Sequence, residues 1–424
     1  MANEDFVIKN GELTRFSGFS RNIVIPDGVI KIGKLAFQLQ GISSVVIPES
    51  VVEICDGAFN ACEHLTSITI PDSVEKIGSG AFRGCRGLTD ENGFVIVKNV
   101  LYDYFGNDET VVIPYGVTYI GDNAFYGCKK ITKVVIPDTV KSIGKDAFAD
   151  CKRLKDISIP ESVTSVGVGA FQDCKALAQK GMVIVKDVLY NYYGRAKTVT
   201  VPEGIRIIGP SAFAVNFNIE KILLPDSVEL IEDMAFWQCF NLEDISISQN
   251  VVFGDAVFAG CKKLANNGCV IFNDVFCYYC GNDSRIDIPN NIKKIDPVAL
   301  KGKEFKVVTL PNSITFIQED AFHNCKKLER VVIPESVVEI KGGAFYGCKN
   351  LFEIEIPNSV ATIGSAAFCG CSSLKQIVIP KSVTHIGVNA FLDCDNVVLY
   401  VSRGSFAESY AKVNNIPWLL NNID

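Results

Sequence analysis

Histidine is scarce in this chain, and catalytic motifs are missing from it. Only 3 of the 424 residues are histidines (His64, His323 and His385), and they lie far apart in the sequence. No Ser/His/Asp set, HExxH, GxSxG, P-loop or GxGxxG motif is present. Acidic pairs such as Glu353 and Glu355 are expected on a flat strand face, which does not provide the cleft of a glycosidase. The sequence therefore predicts that the protein is not an enzyme and binds no cofactor and no metal.

Long hydrophobic runs and basic clusters are also absent. No apolar stretch has the length, about 18 residues, that a membrane-spanning helix needs. The formal net charge of −7 and the lack of a basic cluster argue against a nucleic-acid partner. Met1–Glu4 show neither the basic segment nor the apolar segment of a secretory leader. We therefore expect no membrane insertion and no binding to nucleic acid.

Cysteine, by contrast, is plentiful, with 16 residues. Eleven of them occupy one position of the repeat that is described below: Cys62, Cys85, Cys128, Cys151, Cys174, Cys239, Cys261, Cys325, Cys348, Cys371 and Cys394. Equivalent side chains on stacked repeats point in the same direction, whereas a disulfide needs two that point at each other. A small, buried thiol suits such a position, so we expect reduced cysteines.

Cys277 and Cys280 form a CxxC pair, and Cys269 lies close to them in the sequence. A zinc site usually shows a second such pair or added histidines, and the neighbouring sequence offers neither. The two cysteines take positions that aromatic residues fill in related segments. This favours apolar substitution over a metal site.

A repeat of 22 or 23 residues runs through the chain. Its fourteen copies begin at Pro26, Pro48, Pro71, Pro114, Pro137, Pro160, Pro202, Pro225, Ser248, Pro289, Pro311, Pro334, Pro357 and Pro380. A fixed period of this length is typical of a solenoid, in which each repeat buries its apolar face against its neighbours. We therefore predict stacked coils of chain.

Each repeat combines a strand, a turn and a set of core residues. Polar and apolar residues alternate in 67–70, which is typical of a half-buried strand, and Pro71 ends that strand because proline has no N–H. Gly78 is expected to take a turn conformation that is closed to other residues. Steps of three and four residues between the apolar positions of 81–88 predict a short helical turn. One phenylalanine per repeat is expected in an internal aromatic column: Phe37, Phe59, Phe82, Phe125, Phe148, Phe171, Phe213, Phe236, Phe258, Phe322, Phe345, Phe368 and Phe391.

Three longer gaps between successive prolines, of 41 to 43 residues, each hold an extra segment. These segments (94–113, 182–201 and 269–288) and the N-terminal 6–25 share a strand, a polar turn and an aromatic strand, so we predict four β-hairpins. Asn10-Gly11 is a strong hairpin-turn signal. We predict one solenoid domain over residues 1–424. It would consist of super-repeats 6–93, 94–181, 182–268 and 269–396 and a C-terminal cap, 397–424, with a strand at 397–401 and a helix at 405–414.

Two neighbouring repeats depart from the pattern. The repeat at Pro289 has Asp296, Leu300 and Lys303 where other repeats have glycine, phenylalanine and cysteine. The repeat at Ser248 lacks one residue before its phenylalanine. We expect residues 248–303 to bend or loosen the solenoid.

The consensus IPxSVxxIGxxAFxxCxxLxxIxIP, seen in 136–160 and 333–357, resembles the repeats of BspA-like, or TpLRR-type, bacterial leucine-rich repeat proteins. Together with the repeat, this resemblance implies a β-dominated solenoid with short helical turns. That fold is a right-handed leucine-rich-repeat superhelix with a parallel sheet on one side and, in this chain, four inserted β-hairpin units. The resemblance also implies a cell-surface or secreted adhesin that binds host matrix proteins or other bacteria. It brings no shared catalytic residues.

Two sets of residues are candidates for binding. Cations on the outward face of the sheet form the first set: Lys133, Lys221 and Arg330. Hairpin tyrosines, which recur about every 88 residues, form the second: Tyr102, Tyr104, Tyr190, Tyr192, Tyr278 and Tyr279. Tyrosine and arginine are frequent in binding hot spots. The alternatives are a solvated sheet face and tyrosines that pack each hairpin onto the coil below it.

We therefore predict a non-catalytic protein-binding scaffold, a cell-surface or secreted adhesin-like protein. Its partner would be a host matrix protein, a bacterial surface protein or a glycan. An intracellular protein–protein interaction scaffold is the alternative, because the start of the chain shows no leader and the thiols are expected to be unpaired. The location stays open between the cell surface and the cytoplasm.

Overall fold

The computed structural model describes residues 5–421. Its contacts divide the chain into two compact units, Met1–Gly194 and Arg195–Asp424, called here the N-terminal and C-terminal units. Each unit is a β-solenoid of stacked coils with parallel sheets and little helix. The predicted β-dominated solenoid is thereby confirmed, while the single domain over 1–424 with its super-repeats stays a prediction. Met1–Glu4, where the sequence predicts no leader, and residues 422–424 of the predicted cap lie outside the described residues.

One side of each coil is a strand that ends just before the proline position, called here the front strand. In the N-terminal unit these are Asn22–Val24, Ser44–Val46, Ser67–Thr69, Thr110–Val112, Lys133–Val135 and Asp156–Ser158. In the C-terminal unit they are Thr198–Thr200, Lys221–Leu223, Asp244–Ser246, Arg285–Asp287, Val307–Thr309, Arg330–Val332, Glu353–Ile354 and Gln376–Ile379. Within each sheet, a front strand pairs in parallel with the front strand of the next repeat, as Thr110 pairs with Lys133. In a strand such as Thr110–Val112 the middle residue is buried and its neighbours face outward because side chains alternate along a strand.

A second side is a two-residue strand after the proline turn, called here the back strand. In the N-terminal unit these are Lys31–Ile32, Glu53–Ile54, Lys76–Ile77, Tyr119–Ile120, Ser142–Ile143 and Ser165–Val166. In the C-terminal unit they are Ile207–Ile208, Leu230–Ile231, Val252–Phe253, Lys294–Ile295, Phe316–Ile317, Glu339–Ile340, Thr362–Ile363 and His385–Ile386. Their second residue is buried in most coils, as Ile54 and Ile340 are, and half-buried at Ile77 and Val166. The coil is therefore closed by two parallel sheets around one apolar interior.

The third side consists of successive turns rather than α-helix. Ala58 N–H donates to Cys55 O within its own coil (3.2 Å), and Phe59 N–H donates to Ala81 O of the next coil (2.9 Å). Along this side, the N–H groups of successive residues alternate between acceptors in their own coil and acceptors in the next coil. Such a path needs left-handed backbone, as at Ala61 with φ +56°. The described helices are three 3₁₀ turns and one α-helix: Arg86–Leu88, Lys175–Leu177, Lys262–Leu264 and Phe406–Val413.

Gly78 has a role other than the one predicted. Its φ is not in the left-handed region, but a Cβ atom there would lie 2.4 Å from the backbone nitrogen of Asp56 in the preceding coil. Gly167 is crowded in the same way, with Lys145 N at 2.4 Å from the Cβ position. The glycine is needed because the backbones of stacked coils approach each other closely at this corner.

Four antiparallel hairpins interrupt the coils, as predicted. Their strands are Phe6–Lys9 with Glu12–Phe16, Phe94–Val97 with Val100–Tyr104, Met182–Val185 with Val188–Tyr192, and Cys269–Phe272 with Val275–Tyr279. Asn10 and Gly11 both have positive φ, which matches a type I′ turn. The second strand of the hairpin pairs in parallel with the next back strand, as in Val100↔Tyr119. A hairpin therefore replaces a back strand and supplies no front strand.

The phenylalanine column fills the interior. All thirteen predicted members are buried. Phe37 and Phe59 stack with ring centroids 4.9 Å apart, and Phe345 and Phe368 stack at 5.3 Å. Burial of each ring contributes roughly 2–3 kcal/mol, so the column is a major source of stability.

The cysteine column has a hydrogen-bonding role that the sequence did not predict. Cys62 Sγ donates to Phe37 O of the preceding coil (3.0 Å), and Cys348 Sγ donates to Phe322 O at the same distance. Eight further cysteines of the column repeat this contact: Cys85, Cys151, Cys174, Cys239, Cys261, Cys325, Cys371 and Cys394. The position thus favours a small apolar side chain that still carries a donor.

The irregular repeat at Pro289 is compensated by other side chains. Leu300 is buried in the phenylalanine position, and Phe305 restores an aromatic ring, with centroids 6.2 Å from Tyr279 and 6.4 Å from Phe322. Asp296, in the glycine position, is 2% exposed and accepts the N–H of Ala256 at 2.7 Å. Its carboxylate therefore ties this coil to the coil before the hairpin.

The predicted cap elements are present. A strand, Val398–Val401, pairs in parallel with Gln376–Ile379, and the helix Phe406–Val413 begins after Ser405, whose hydroxyl accepts the N–H of Glu408 at 3.2 Å. A further strand, Trp418–Leu420, extends this sheet and was not predicted. Ala407 and Ala411 are fully buried against the coils.

Candidate protein-binding surfaces

Each of the three predicted cations of the front face forms an ion pair within its own unit. Lys133 contacts Asp156 at 2.6 Å, and Lys221 contacts Asp244 at 2.5 Å. Arg330 Nε lies 3.1 Å from Glu353. Each pair joins adjacent front strands because parallel register places residues 23 positions apart side by side. These cations are accessible but already have carboxylate partners, so they form a mixed-charge surface rather than a basic one.

Five of the six predicted tyrosines are inside the solenoid. Tyr102, Tyr104, Tyr190, Tyr192 and Tyr279 are between 2% and 8% exposed. Their rings continue the aromatic column, with Tyr102 5.3 Å from Phe82 and Tyr190 5.6 Å from Phe171. Burial raises the pKa of Tyr104 to about 12, and its hydroxyl donates to Asp108 at 3.1 Å. These residues therefore have the packing role that was the alternative to binding, and they offer a partner almost no surface.

Tyr278 differs from these five because Tyr279, and not Tyr278, occupies the position of Tyr104 and Tyr192. Tyr279 pairs with Cys269 as Tyr104 pairs with Phe94, which puts Tyr278 in the position of Asp103. In the second and third hairpins this position holds a hydrogen-bond acceptor: Asp103 accepts Gly84 N–H at 2.9 Å, and Asn191 accepts Asp173 N–H at 2.7 Å. Tyr278 is half-buried and its ring lies 4.0 Å below Lys303 Nζ. It thus contributes to the surface.

A groove on the turn side of the C-terminal unit is lined in part by Tyr278 and by other exposed rings, and it is called here the aromatic groove. It has a volume of about 450 Å³ and is lined by Trp237, Gln238, Phe240, Ala259, Gly260, Lys262, Tyr278, Val298, Lys301 and Lys303. Trp237 is 36% exposed and Phe240 is 41% exposed. Phe240 also stacks on exposed Phe217, with centroids 5.6 Å apart and planes 6° apart. The groove therefore presents several large rings to solvent.

Local sequence explains why these rings point outward. Trp237 directly follows the column residue Phe236, and Phe240 directly follows Cys239, so their neighbours already fill the interior. Gly260 lies beneath Phe240: a Cβ there would be 3.3 Å from its ring, and the φ of +91° also favours glycine. The prediction from sequence missed these positions because they are variable ones in the repeat. The available signal was a pair of aromatic residues, Phe217 and Phe240, at the same variable position of two consecutive coils.

The groove is positive within an acidic chain. Its lining contains three lysines and no carboxylate. Lys301 pairs with Asp320 at 3.0 Å, and the nearby Glu304 pairs with Lys327 at 2.9 Å. Lys262 and Lys303 have no ion pair with any residue of 5–421, although Lys303 lies over Tyr278. Two positive charges are thereby available next to an aromatic floor.

Within residues 5–421, no group of three or more His, Cys, Asp or Glu side chains is arranged to hold a metal ion. Cys277 of the CxxC pair is 2% exposed and takes the position of Tyr102 and Tyr190 in the other hairpins, whereas Cys280 is half-buried. In the same part of the chain, no helix is both long and apolar enough to cross a membrane.

Comparison with known families gives the identity of the repeat. The model of the BspA type leucine rich repeat region matches residues 14–100, 95–183, 183–269 and 270–398. The chain belongs to the BspA type leucine rich repeat family. This match agrees with the resemblance that the consensus indicated.

Solved structures similar to this BspA-type protein come from several bacteria. A leucine rich cell surface protein from Faecalibacterium prausnitzii is 24% identical, with 96% of this chain and 94% of that chain covered and a TM-score of 0.29. A leucine-rich repeat protein from Bacteroides ovatus is 22% identical, with 98% and 97% covered and a TM-score of 0.34. The T. pallidum leucine rich repeat protein TpLRR is 29% identical, with 42% and 91% covered and a TM-score of 0.31. No curated protein matches this chain.

Proposed function

We propose that this BspA-type protein is a non-catalytic scaffold that binds other proteins, and that it acts as an adhesin-like protein at a bacterial cell surface or after secretion. The partner would be a host matrix protein or a protein of another bacterium. The observation that carries the binding role is the aromatic groove, which exposes Trp237 and Phe240 on a stack of closely bonded coils. Leucine-rich repeats supply this rigidity because each coil is bonded to its neighbours on several sides.

The groove has the composition of a binding hot spot. Tryptophan and tyrosine dominate such sites, and aromatic residues are enriched in interface cores. Rings that are held by stacking, as Phe217 and Phe240 are, lose little freedom when a partner arrives. The front face is a second, weaker candidate because its ion pairs satisfy its own charges.

One observation favours the alternative, an intracellular interaction scaffold. All 16 cysteines are free thiols, and ten of them donate hydrogen bonds to carbonyl oxygens in the interior. Unpaired thiols in this number are common in reducing compartments. Their burial would also protect them outside the cell, so the location must be measured.

Location and binding are tested together on the native organism and the purified chain. Intact cells are treated with a protease that cannot enter them, and immunoblotting follows the protein in surface, secreted and cytosolic fractions. Purified chain is then assayed for saturable binding to immobilised host matrix and to whole bacteria. Surface or secreted protein with saturable binding is expected. A purely cytosolic protein that binds neither surface would contradict the adhesin role and leave the intracellular scaffold.

A further inference from the structure

The aromatic groove has a chemistry that selects among partners. Its floor is apolar: the rings of Trp237, Phe240 and Tyr278 are joined by Ala259 and Val298. Its volume of about 450 Å³ is within the range of about 300–1,000 Å³ that is usual for ligand sites. A floor of this kind accepts the apolar side chains of a short segment of chain.

The charges of the groove favour an anionic ligand. Lys262 is exposed, Lys303 is half-buried, and neither forms an ion pair with a carboxylate among residues 5–421. Because the lining residues include no Asp or Glu, a bound carboxylate would meet no like charge in the groove itself. Two carboxylates near the rim, Glu304 and Asp320, are already paired with Lys327 and Lys301. A third, Asp283, lines the adjoining pocket and accepts the hydroxyl of Tyr279 at 3.3 Å.

Hydrogen-bonding capacity separates a peptide from a glycan. Each sugar hydroxyl carries a donor, and a sugar site must supply acceptors for several of them. Among the side chains of the lining, the lysines only donate, and the acceptors are the amide of Gln238 and the hydroxyl of Tyr278. Carboxylate side chains, in contrast, need donors only. The lining therefore suits acidic residues with apolar neighbours better than a sugar chain.

We propose that the aromatic groove binds a short acidic segment of a protein partner, with apolar side chains on Trp237, Phe240 and Tyr278 and carboxylates on Lys262 and Lys303. This inference rests on the proposed protein-binding function and names the ligand chemistry of that same surface. Binding is expected to weaken as salt is added because the carboxylate contacts lie at a solvent-exposed rim.

The chain offers matched controls for each variant. Tyr126 follows Phe125 as Trp237 follows Phe236, and it is 54% exposed in the N-terminal unit. Lys129 follows Cys128 as Lys262 follows Cys261, and it too is exposed. Trp237→Ala is therefore compared with Tyr126→Ala, and Lys262→Glu with Lys129→Glu. Thermal unfolding followed by circular dichroism shows that each variant is folded before binding is measured.

A phage-displayed library of random 12-residue peptides is selected on the purified chain after depletion on the double variant Trp237→Ala/Phe240→Ala. Enriched peptides are synthesised, and their Kd values are measured by fluorescence anisotropy. We expect peptides with net negative charge and apolar residues. Their affinity should fall about tenfold or more with Trp237→Ala and with Lys262→Glu/Lys303→Glu, and stay within about twofold in the controls.

Four outcomes would overturn the proposal: no enrichment, enrichment of neutral or basic peptides, acidic peptides whose affinity the groove variants leave unchanged, and a sulfated polysaccharide that binds the groove in place of peptide. Binding of the groove variants to host matrix and to bacteria is measured in parallel. If it stays at the level of the unmodified chain, the groove assignment fails while the protein-binding function stands. If the unmodified chain itself binds neither surface, the proposed function fails.

Discussion

At the scale of single residues, the repeat separates inward from outward positions very sharply. Phe125 is fully buried in the aromatic column, whereas the next residue, Tyr126, is 54% exposed. Adjacent aromatic residues of nearly equal size thus have opposite surroundings. Replacing each of these two residues by alanine therefore compares the effect of burial on stability for side chains of similar size.

Phe125→Ala should lower the free energy of unfolding by about 3–5 kcal/mol because it opens a cavity between stacked rings. Tyr126→Ala should change it by less than about 0.5 kcal/mol because an exposed ring loses little burial. Urea unfolding of both variants measures the difference. Equal losses would show that the column is not the principal source of stability in this coil.

Asp296 should make stability depend on pH. Burial raises the pKa of its carboxyl to about 6, whereas an unfolded chain has a value of about 3.9. Between about pH 4 and pH 6 the folded chain binds more protons than the unfolded chain, so this group makes stability fall as the pH rises. The loss is at most about 3 kcal/mol and is complete at about pH 7, roughly one unit above the folded pKa.

Asp296→Asn should remove that slope because an amide does not titrate. Urea unfolding of both proteins at pH 4, 5, 6 and 7 gives the comparison, in which the difference between the two curves isolates Asp296 from other carboxylates. Parallel curves would mean that the pKa of Asp296 is the same in the folded and unfolded chains.

At the scale of elements, the coil is defined by close backbone contact as much as by apolar packing. The corner glycine lets one coil approach the backbone of the coil before it, and the turn side bonds alternate residues to the next coil. Hairpins interrupt the front strands at intervals. The irregular repeat at Pro289 follows a hairpin and accommodates Asp296 in the glycine position.

Gly78→Ala should destabilise the N-terminal unit by about 1–3 kcal/mol because the new Cβ would lie 2.4 Å from Asp56 N. Gly41→Ala is the control, since no atom lies within 4 Å of its Cβ position and its φ is not in the left-handed region. Chemical unfolding of both variants provides the measurement. Equal stability of the two would show that the coils can separate at this corner without cost.

Much of the fold could be predicted from sequence because the repeated positions carry the physical constraints. Proline ended the front strands, the phenylalanines formed the column, and Asn10-Gly11 marked a hairpin turn. The helical-turn periodicity of 81–88 was confirmed at Arg86–Leu88, which is a 3₁₀ turn, whereas the residues before it form successive turns that accept N–H groups of the preceding coil, which sequence spacing alone cannot distinguish. The regular recurrence of the hairpin tyrosines failed at Tyr278 because Cys277 takes the position of Tyr102, which leaves Tyr278 in the position of Asp103.

The candidate site was less predictable than the fold. Trp237 and Phe240 occupy variable positions, where a repeat pattern says nothing about the side chain. Trp237 and Phe240 form a groove only together with residues that are distant in sequence, namely Tyr278 of the inserted hairpin and Lys303 after it. A search for outward positions filled by aromatic residues in consecutive coils would have found Phe240, together with Phe217 beside it, but neither Trp237 nor the charge of the groove.

At the scale of the whole molecule, the thiols report on the integrity of most coils, since eleven of the fourteen repeats carry a column cysteine. Burial raises the pKa of Cys62, Cys85 and Cys277 to about 12 and of Cys239 and Cys394 to about 11. Thiolate is the reactive form, so these residues should be inert near pH 8 as long as their coils are closed. The half-buried cysteines are Cys55, Cys128, Cys269 and Cys280.

Titration with a thiol reagent at pH 8 under non-reducing conditions should therefore label at most these four cysteines in the folded protein and all 16 in denaturant. Labelling of the remainder should follow the unfolding transition because each buried thiol needs its coil to open. Mass spectrometry of the labelled peptides assigns the sites. Far fewer than 16 reactive groups in denaturant would reveal disulfides, and rapid labelling of the column cysteines in the folded protein would contradict closed coils.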